Sequence, residues 1–205
     1  MTTFFLIGTL LGLSAGLSPG PLLTLLVSET LRHDSRAGIK VAISPIITDL
    51  PIILLTVIIL GQLSGFYSLL GVISLIGGLV LLSMGYQSFC LKGLEMKNNV
   101  EKPKSLSKGV AVNLLNPHPY LFWFTIGAPT ITKSMKEGIW ASGAFILGFY
   151  LFLIGSKVML ALLIGKSKSL LTGSCYRYTL RSLAVLLCIF AVVLIREGLT
   201  LLKVI

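Results

Sequence analysis

Of the 205 residues, 55% are hydrophobic and 12% charged, and a mean hydropathy of +0.95 lies outside the range of water-soluble domains. The formal charge of +10 comes from Lys and Arg scattered through short polar stretches, which excludes a continuous nucleic-acid-binding face and points to membrane anchoring and topology. At about 20 apolar residues per crossing, the chain has room for six membrane spans and no soluble domain.

The first apolar run covers about residues 4–28. It lacks a basic n-region and a small-residue cleavage site, so the first span is expected to be retained. "LSPGPLL" at 17–23 interrupts it. Each proline removes a backbone N–H and crowds the carbonyl four residues back, so the helix should break at Ser18, Pro19, Gly20 and Pro21. A second run, about 38–60, carries Asp49 some eleven residues in, roughly 16 Å along the helix. A carboxylate there costs about 2.5–3.5 kcal/mol on insertion scales and is a functional candidate. Three roles stay open for it: binding a cationic group, carrying a coupling proton, or pairing with a lysine. Pro45 and Pro51 flank Asp49, which predicts an irregular helix.

The third run, about 66–90, follows "GQLSG", so the second and third helices should form a tight antiparallel hairpin. Its Gly71, Gly77, Gly78 and Gly85 predict close helix contacts. The polar, lysine-rich stretch of about 91–108 reads as a solvated linker held near anionic headgroups.

The fourth run, about 109–131, contains a second double-proline element, Asn116-Pro117-His118-Pro119. Asn113 and Asn116 fall on one face just before this break. His118 is either a structural, hydrogen-bonded histidine or a proton-transfer group. In the fifth run, about 138–164, Lys157 lies some seven residues from the end. It can snorkel to the interface, pair with Asp49, or meet a substrate carboxylate. The sixth run is about 182–202, with Arg196 and Glu197 expected at the interface. Trp123, Trp140, Tyr67, Tyr120 and Tyr150 read as interfacial or packing aromatics.

The loops after the first, third and fifth runs carry twelve Lys and Arg, against three on the other side (Lys133, Lys136 and Lys203). The positive-inside rule places the first set in the cytoplasm and both termini outside. Cys90, Cys175 and Cys188 form no C-x-x-C pair and read as apolar fillers. No metal or other cofactor is implied, and no nucleophile–base spacing or phosphate loop suggests an enzyme.

"SPGP" at 18–21 is answered by "NPHP" 98 positions later, and "RAGI" at 36–39 by "KEGI" 100 positions later. The expected architecture is therefore an all-α integral membrane protein of six transmembrane helices in one domain. It comprises two inverted three-helix repeats, about 4–90 and about 109–203, with broken first and fourth helices. Carbonyls freed at membrane depth survive only beside protein or a water-filled cavity, so the breaks should border a polar route.

These features together, "G-L-S-P-G-P", a glycine-entered second helix with an acidic residue, a basic linker and "N-P-H-P-Y-L-F-W-F", make a chain that resembles the LysE/RhtB family of amino-acid exporters. The resemblance implies export of amino acids or related metabolites across the cell membrane, driven by proton entry and often by a homodimer. Carried over by position, Pro19, Gly20, Pro21, Asp49, Asn116, Pro117 and Pro119 match the family's motifs. Ser44-Pro45 departs from the glycine-rich second-helix face usual in the family, which bears on the substrate rather than on the fold. The wider superfamily includes thiol-redox carriers, but Ser18, Gly20, Asn116 and His118 stand where their cysteines would be, and the redox chemistry is lost. Efflux of another small solute or an inorganic ion, and a non-transporting scaffold, are the alternative functions.

Overall fold

The computed structural model describes residues 1–59, 63–90, 104–167 and 173–203, and all regular structure in them is helical. In chain order these are α1 (Thr2–Leu17), α2 (Pro21–Arg32), α3 (Ser35–Ile59), α4 (Leu63–Cys90), α5 (Ser105–Leu114) and α6 (Pro117–Phe122). A π-helical turn (Trp123–Gly127) follows, then α7 (Ala128–Met135), α8 (Ile139–Ser167) and α9 (Gly173–Leu201). Residues 60–62, at the turn expected around "GQLSG", and residues 91–103 of the expected linker lie outside the described residues, as do the side chains of Tyr67, Cys90 and Cys175. Residues 63–65 already belong to α4, and the end of the expected linker, 105–108, forms the first turn of α5.

By length and composition three of the described helices can cross a membrane, in α3, α8 and α9. A fourth crossing results if α1 and α2, bent by 61°, are one span. The packing is that of a protein dissolved in lipid. Glu29, Thr30, Ser44, Thr48, Asp49, Ser74, Asn113, Asn116 and Lys157 are buried, while rows of large apolar residues such as Ile43, Ile46, Ile47, Leu50 and Leu54 on α3 face outward. In water that distribution would be upside down.

Small residues set the helix contacts. On α1, Gly8, Gly12 and Gly16 follow at four-residue spacing and lie against α8. A Cβ at Gly8 or Gly12 would collide with the backbone carbonyl of Phe145 or Phe149, and one at Gly16 with Ser156 and Leu153. Gly71, Gly78 and Gly85, seven residues apart, do the same for α4 against α9, where they meet Gly198, Ala191, Ile195 and Cys188. Gly77 faces elsewhere and receives the backbone carbonyl of Leu115. Without a hydrophobic drive between helices in lipid, such close approach supplies the dispersion energy that holds the bundle.

Two local expectations are corrected. The helix around Asp49 is not irregular: α3 runs unbroken through Pro45 and Pro51. Pro45 has no N–H for the carbonyl of Val41, and the Ser44 hydroxyl donates to that carbonyl instead, at 2.7 Å. Thr48 adds a bond from its hydroxyl to the carbonyl of Ser44 at 3.2 Å. The Ser44 hydroxyl thus replaces what Pro45 deletes, and the helix continues. The fourth run, by contrast, is more divided than a single break. Pro129, which lacks a donor for the preceding turn, opens α7 directly after the π-helical turn at 123–127, as expected where a hydrogen-bond ladder must skip a position.

Candidate functional site

The two double-proline elements build the site from backbone constraints. Ser18, which precedes Pro19, ends α1 with ψ at 126°, the extended setting that a following proline imposes. Gly20 is likewise extended before Pro21, which opens α2 as its first residue, where a missing N–H costs nothing. In the second element Asn116 takes ψ 126° before Pro117 and caps α6, its side-chain oxygen accepting from the His118 N–H at 3.2 Å. The breaks are not equivalent. In the first element the helix restarts at the second proline, Pro21, and in the second element at the first, Pro117, because Pro119 fits in the opening turn of α6, where an N–H has no intrahelical partner anyway.

Between the breaks lies a cavity of about 420 Å³. Ser18, Pro19, Gly20 and Pro21 line it from one side, Asn116, His118 and Pro119 from another, and Asp49 and Lys157 from α3 and α8. Pro117 is the one predicted site residue not on its wall. Ala15, Leu22, Leu23, Pro45, Asn113, Phe122, Trp123, Phe149 and Leu153 complete the lining.

Asp49 is buried, and each of its carboxylate oxygens has a donor. Asn113 Nδ2 donates to Oδ1 at 3.3 Å, and Tyr150 Oη donates to Oδ2 at 3.1 Å. The same Asn113 amide donates to Thr48 Oγ1 at 2.6 Å, so α5 and α8 both reach the acidic residue of α3. Tyr150 is therefore more than a packing aromatic, and Trp123 is buried in the cavity wall rather than interfacial. Trp123 packs edge-on to Phe149, with ring centroids 5.5 Å apart, and Phe122 stacks on Phe149 at 5.0 Å. Trp140, on the outer surface, keeps the exposure expected of an interfacial residue.

Lys157 neither snorkels nor pairs with Asp49. It is buried, and its Nζ donates to the carbonyls of Gly16 at 2.8 Å and Ala15 at 3.3 Å. These carbonyls belong to the last turn of α1, where four carbonyls lack intrahelical donors and the helix dipole favours a cation. The broken helix next to it supplies a nearer and better acceptor than the interface. Glu197 is not simply interfacial either, since its Oε2 lies 4.0 Å from His118 Nε2.

One buried carboxylate escaped sequence reasoning. Glu29, near the end of α2, is 1% exposed. Its oxygens accept from Lys108 Nζ at 2.7 Å and from Ser105 Oγ at 2.5 Å, and His33 Nε2 lies 3.8 Å away. Burial pushes the His33 imidazole below its ordinary pKa against the opposing pull of Glu29. The sequence did hold a signal: Glu29 directly follows the first apolar run of about 4–28, and its closeness to the charged residues after it made it read as an end rather than as a buried group.

A search against protein families matches the LysE type translocator family over residues 13–198. The chain belongs to the LysE type translocator family. No curated protein and no solved structure matches it. This translocator is thus a membrane transporter of small molecules, of a family of transporters rather than enzymes, and the family points to export of amino acids or related solutes. Both double-proline elements and the cavity between them fall within the matched residues.

Proposed function

We propose that this translocator exports amino acids from the cytoplasm by alternating access, coupled to proton entry, through the cavity between the two double-proline elements. The observation that carries the reading is that Asp49 and Lys157, a carboxylate and an ammonium from two different helices, line one cavity at the breaks. An α-amino acid presents the opposite pair of charges. In this scheme Asp49 receives the substrate ammonium or, between transport steps, a proton. The carboxylate is received by Lys157 and the N–H groups that open α2 beyond Pro21.

The inverted-repeat architecture is part of the proposal, and the packing supports it. An inverted repeat that exchanges the first three runs with the last three maps the contact of α1 on α8 onto that of α5 on α3, and both are present. It likewise maps α2 on α3 onto α7 on α8, and α2 on α9 onto α6 on α4, and these are present too. The α4–α9 pair maps onto itself and is among the most extensive contacts. On this reading the lysine-rich linker faces the cytoplasm of a cell membrane, both termini lie outside, and the repeats of about 4–90 and 109–203 share one domain.

The test is flux of labelled amino acids in proteoliposomes holding the purified chain under an imposed pH gradient. Flux that follows the gradient and disappears in Asp49→Asn supports the reading. No flux across a broad amino-acid panel ends it.

A further inference from the structure

We infer that the cavity selects neutral amino acids with apolar side chains over basic, acidic and small polar ones. This rests on the export reading above and narrows its substrate class.

The charges of the wall set the first limit. Among the described lining residues Asp49 is the single carboxylate and Lys157 the single ammonium. His118 also lines the cavity, but Glu197 stands 4.0 Å from its Nε2, so an imidazolium there already has its counter-charge. Two of the three Lys157 N–H groups go to the carbonyls of Ala15 and Gly16, leaving one for a ligand. Asn113 and Tyr150 each donate to one Asp49 oxygen, and Thr48 and Trp123 also face the carboxylate. All four are neutral, so a substrate ammonium would be the first positive charge to meet it. The α-ammonium and α-carboxylate of one amino acid use up both partners. A further charge on the side chain would enter a low-dielectric space with nothing of opposite sign to meet it.

The rest of the wall sets the second limit. Phe122, Trp123 and Phe149 form a continuous ring cluster beside Asp49, and Leu153 extends it toward Lys157 along α8. A branched or aromatic side chain gains burial against these rings, a gain a hydroxymethyl group is too small and polar to match even with Ser18 and Asn116 elsewhere on the wall. The volume of about 420 Å³ is at the small end for sites that enclose a small molecule, which suits a single amino acid.

The experiment is exchange of labelled L-leucine, L-phenylalanine, L-serine, L-lysine and L-glutamate in proteoliposomes of the full chain, at equal concentration and without a gradient. Leucine and phenylalanine should exchange, with lysine and glutamate slower by roughly 100-fold and serine also slower. Ser18→Asp, which puts a second carboxylate on the wall, should raise the lysine-to-leucine ratio by about tenfold. Lysine, glutamate or serine exchanging as fast as leucine overturns the inference while leaving export standing, and so does an unchanged ratio in Ser18→Asp. No exchange of these five or of a wider panel overturns the export reading itself, and this inference with it.

Discussion

Lys157 Nζ donates to the carbonyl of Gly16 at 2.8 Å, so a side chain from α8 closes the C-terminal end of α1. The contact joins the first expected repeat to the second at the point where Pro19 prevents the helix from going on. It also fixes the ammonium beside the cavity without neutralising it, because carbonyl dipoles rather than a carboxylate hold it. The structural role of this lysine and the binding role proposed for it can be separated by experiment.

Replacing Lys157 by Met keeps the stem and removes the donors. The carbonyls of Ala15 and Gly16 then lose their partner, and each buried unsatisfied carbonyl costs about 1–3 kcal/mol. Thermal unfolding in detergent should show a lower midpoint for Lys157→Met. Lys157→Arg retains donors and should recover part of that loss, while amino-acid exchange falls in both variants because the position of the charge changes.

Asn113 and Tyr150 hold the Asp49 carboxylate from two sides. Removing either donor, in Asn113→Ala or Tyr150→Phe, should cost about 1.5 kcal/mol for a hydrogen bond to a charged group, which corresponds to roughly a tenfold rise in KM for exchange. Asp49→Asn removes the charge proposed to meet the substrate and should abolish exchange. Detergent unfolding of Tyr150→Phe should fall by no more than about that 1.5 kcal/mol, since the lost hydroxyl leaves the ring stack with Trp123 in place.

Glu29 links the end of α2 to the first turn of α5 through Lys108 and Ser105. Breaking a buried pair by removing one partner strands the other charge, at about 3–5 kcal/mol. Lys108 is 35% exposed on its side chain, so water relieves a stranded lysine more easily than a stranded glutamate. Lys108→Met should therefore destabilise more than Glu29→Gln, and the double variant less than the sum of the two. Unfolding midpoints of the three variants in one detergent check the order.

Much of this was readable from residue types whose physics is local. Two prolines within three residues break a helix wherever they occur, so the Ser18–Pro21 and Asn116–Pro119 elements could be placed before any coordinates, and a carboxylate eleven residues into an apolar run identified Asp49. What could not be read was which partner a buried group would choose. By sequence Lys157 had the interface, Asp49 or a substrate carboxylate to choose from, and the acceptors it takes were none of these: the carbonyls at the end of α1, brought within reach because α1 lies on α8 along Gly8, Gly12 and Gly16. The continuity of α3 was hidden for a related reason: the Ser44 hydroxyl fills the gap that Pro45 leaves at the Val41 carbonyl, and hydropathy does not register a hydroxyl acting as a backbone donor. Glu29 was missed because its partners lie 76 and 79 residues away.

Gly20 allows the cavity to be tested separately from the fold. Its backbone is extended, with φ at −176°, a conformation open to any residue, and a Cβ placed there would meet nothing within 4 Å. No steric demand of the helix break therefore requires glycine at this position, unlike Gly12, where a Cβ would strike the carbonyl of Phe149. Gly20 lines the cavity and has open space around it, so a side chain added there is a probe of the space proposed for the substrate. Gly20→Ala should unfold within about 0.5 kcal/mol of the unchanged chain, and Gly20→Val nearly so, while exchange falls stepwise from Gly to Ala to Val. Gly12→Val, by overpacking the α1–α8 contact, should instead lose about 1–3 kcal/mol. Parallel unfolding and exchange measurements on the three variants distinguish a blocked cavity from a damaged bundle, and unaltered exchange in Gly20→Val would mean that substrate does not pass this wall.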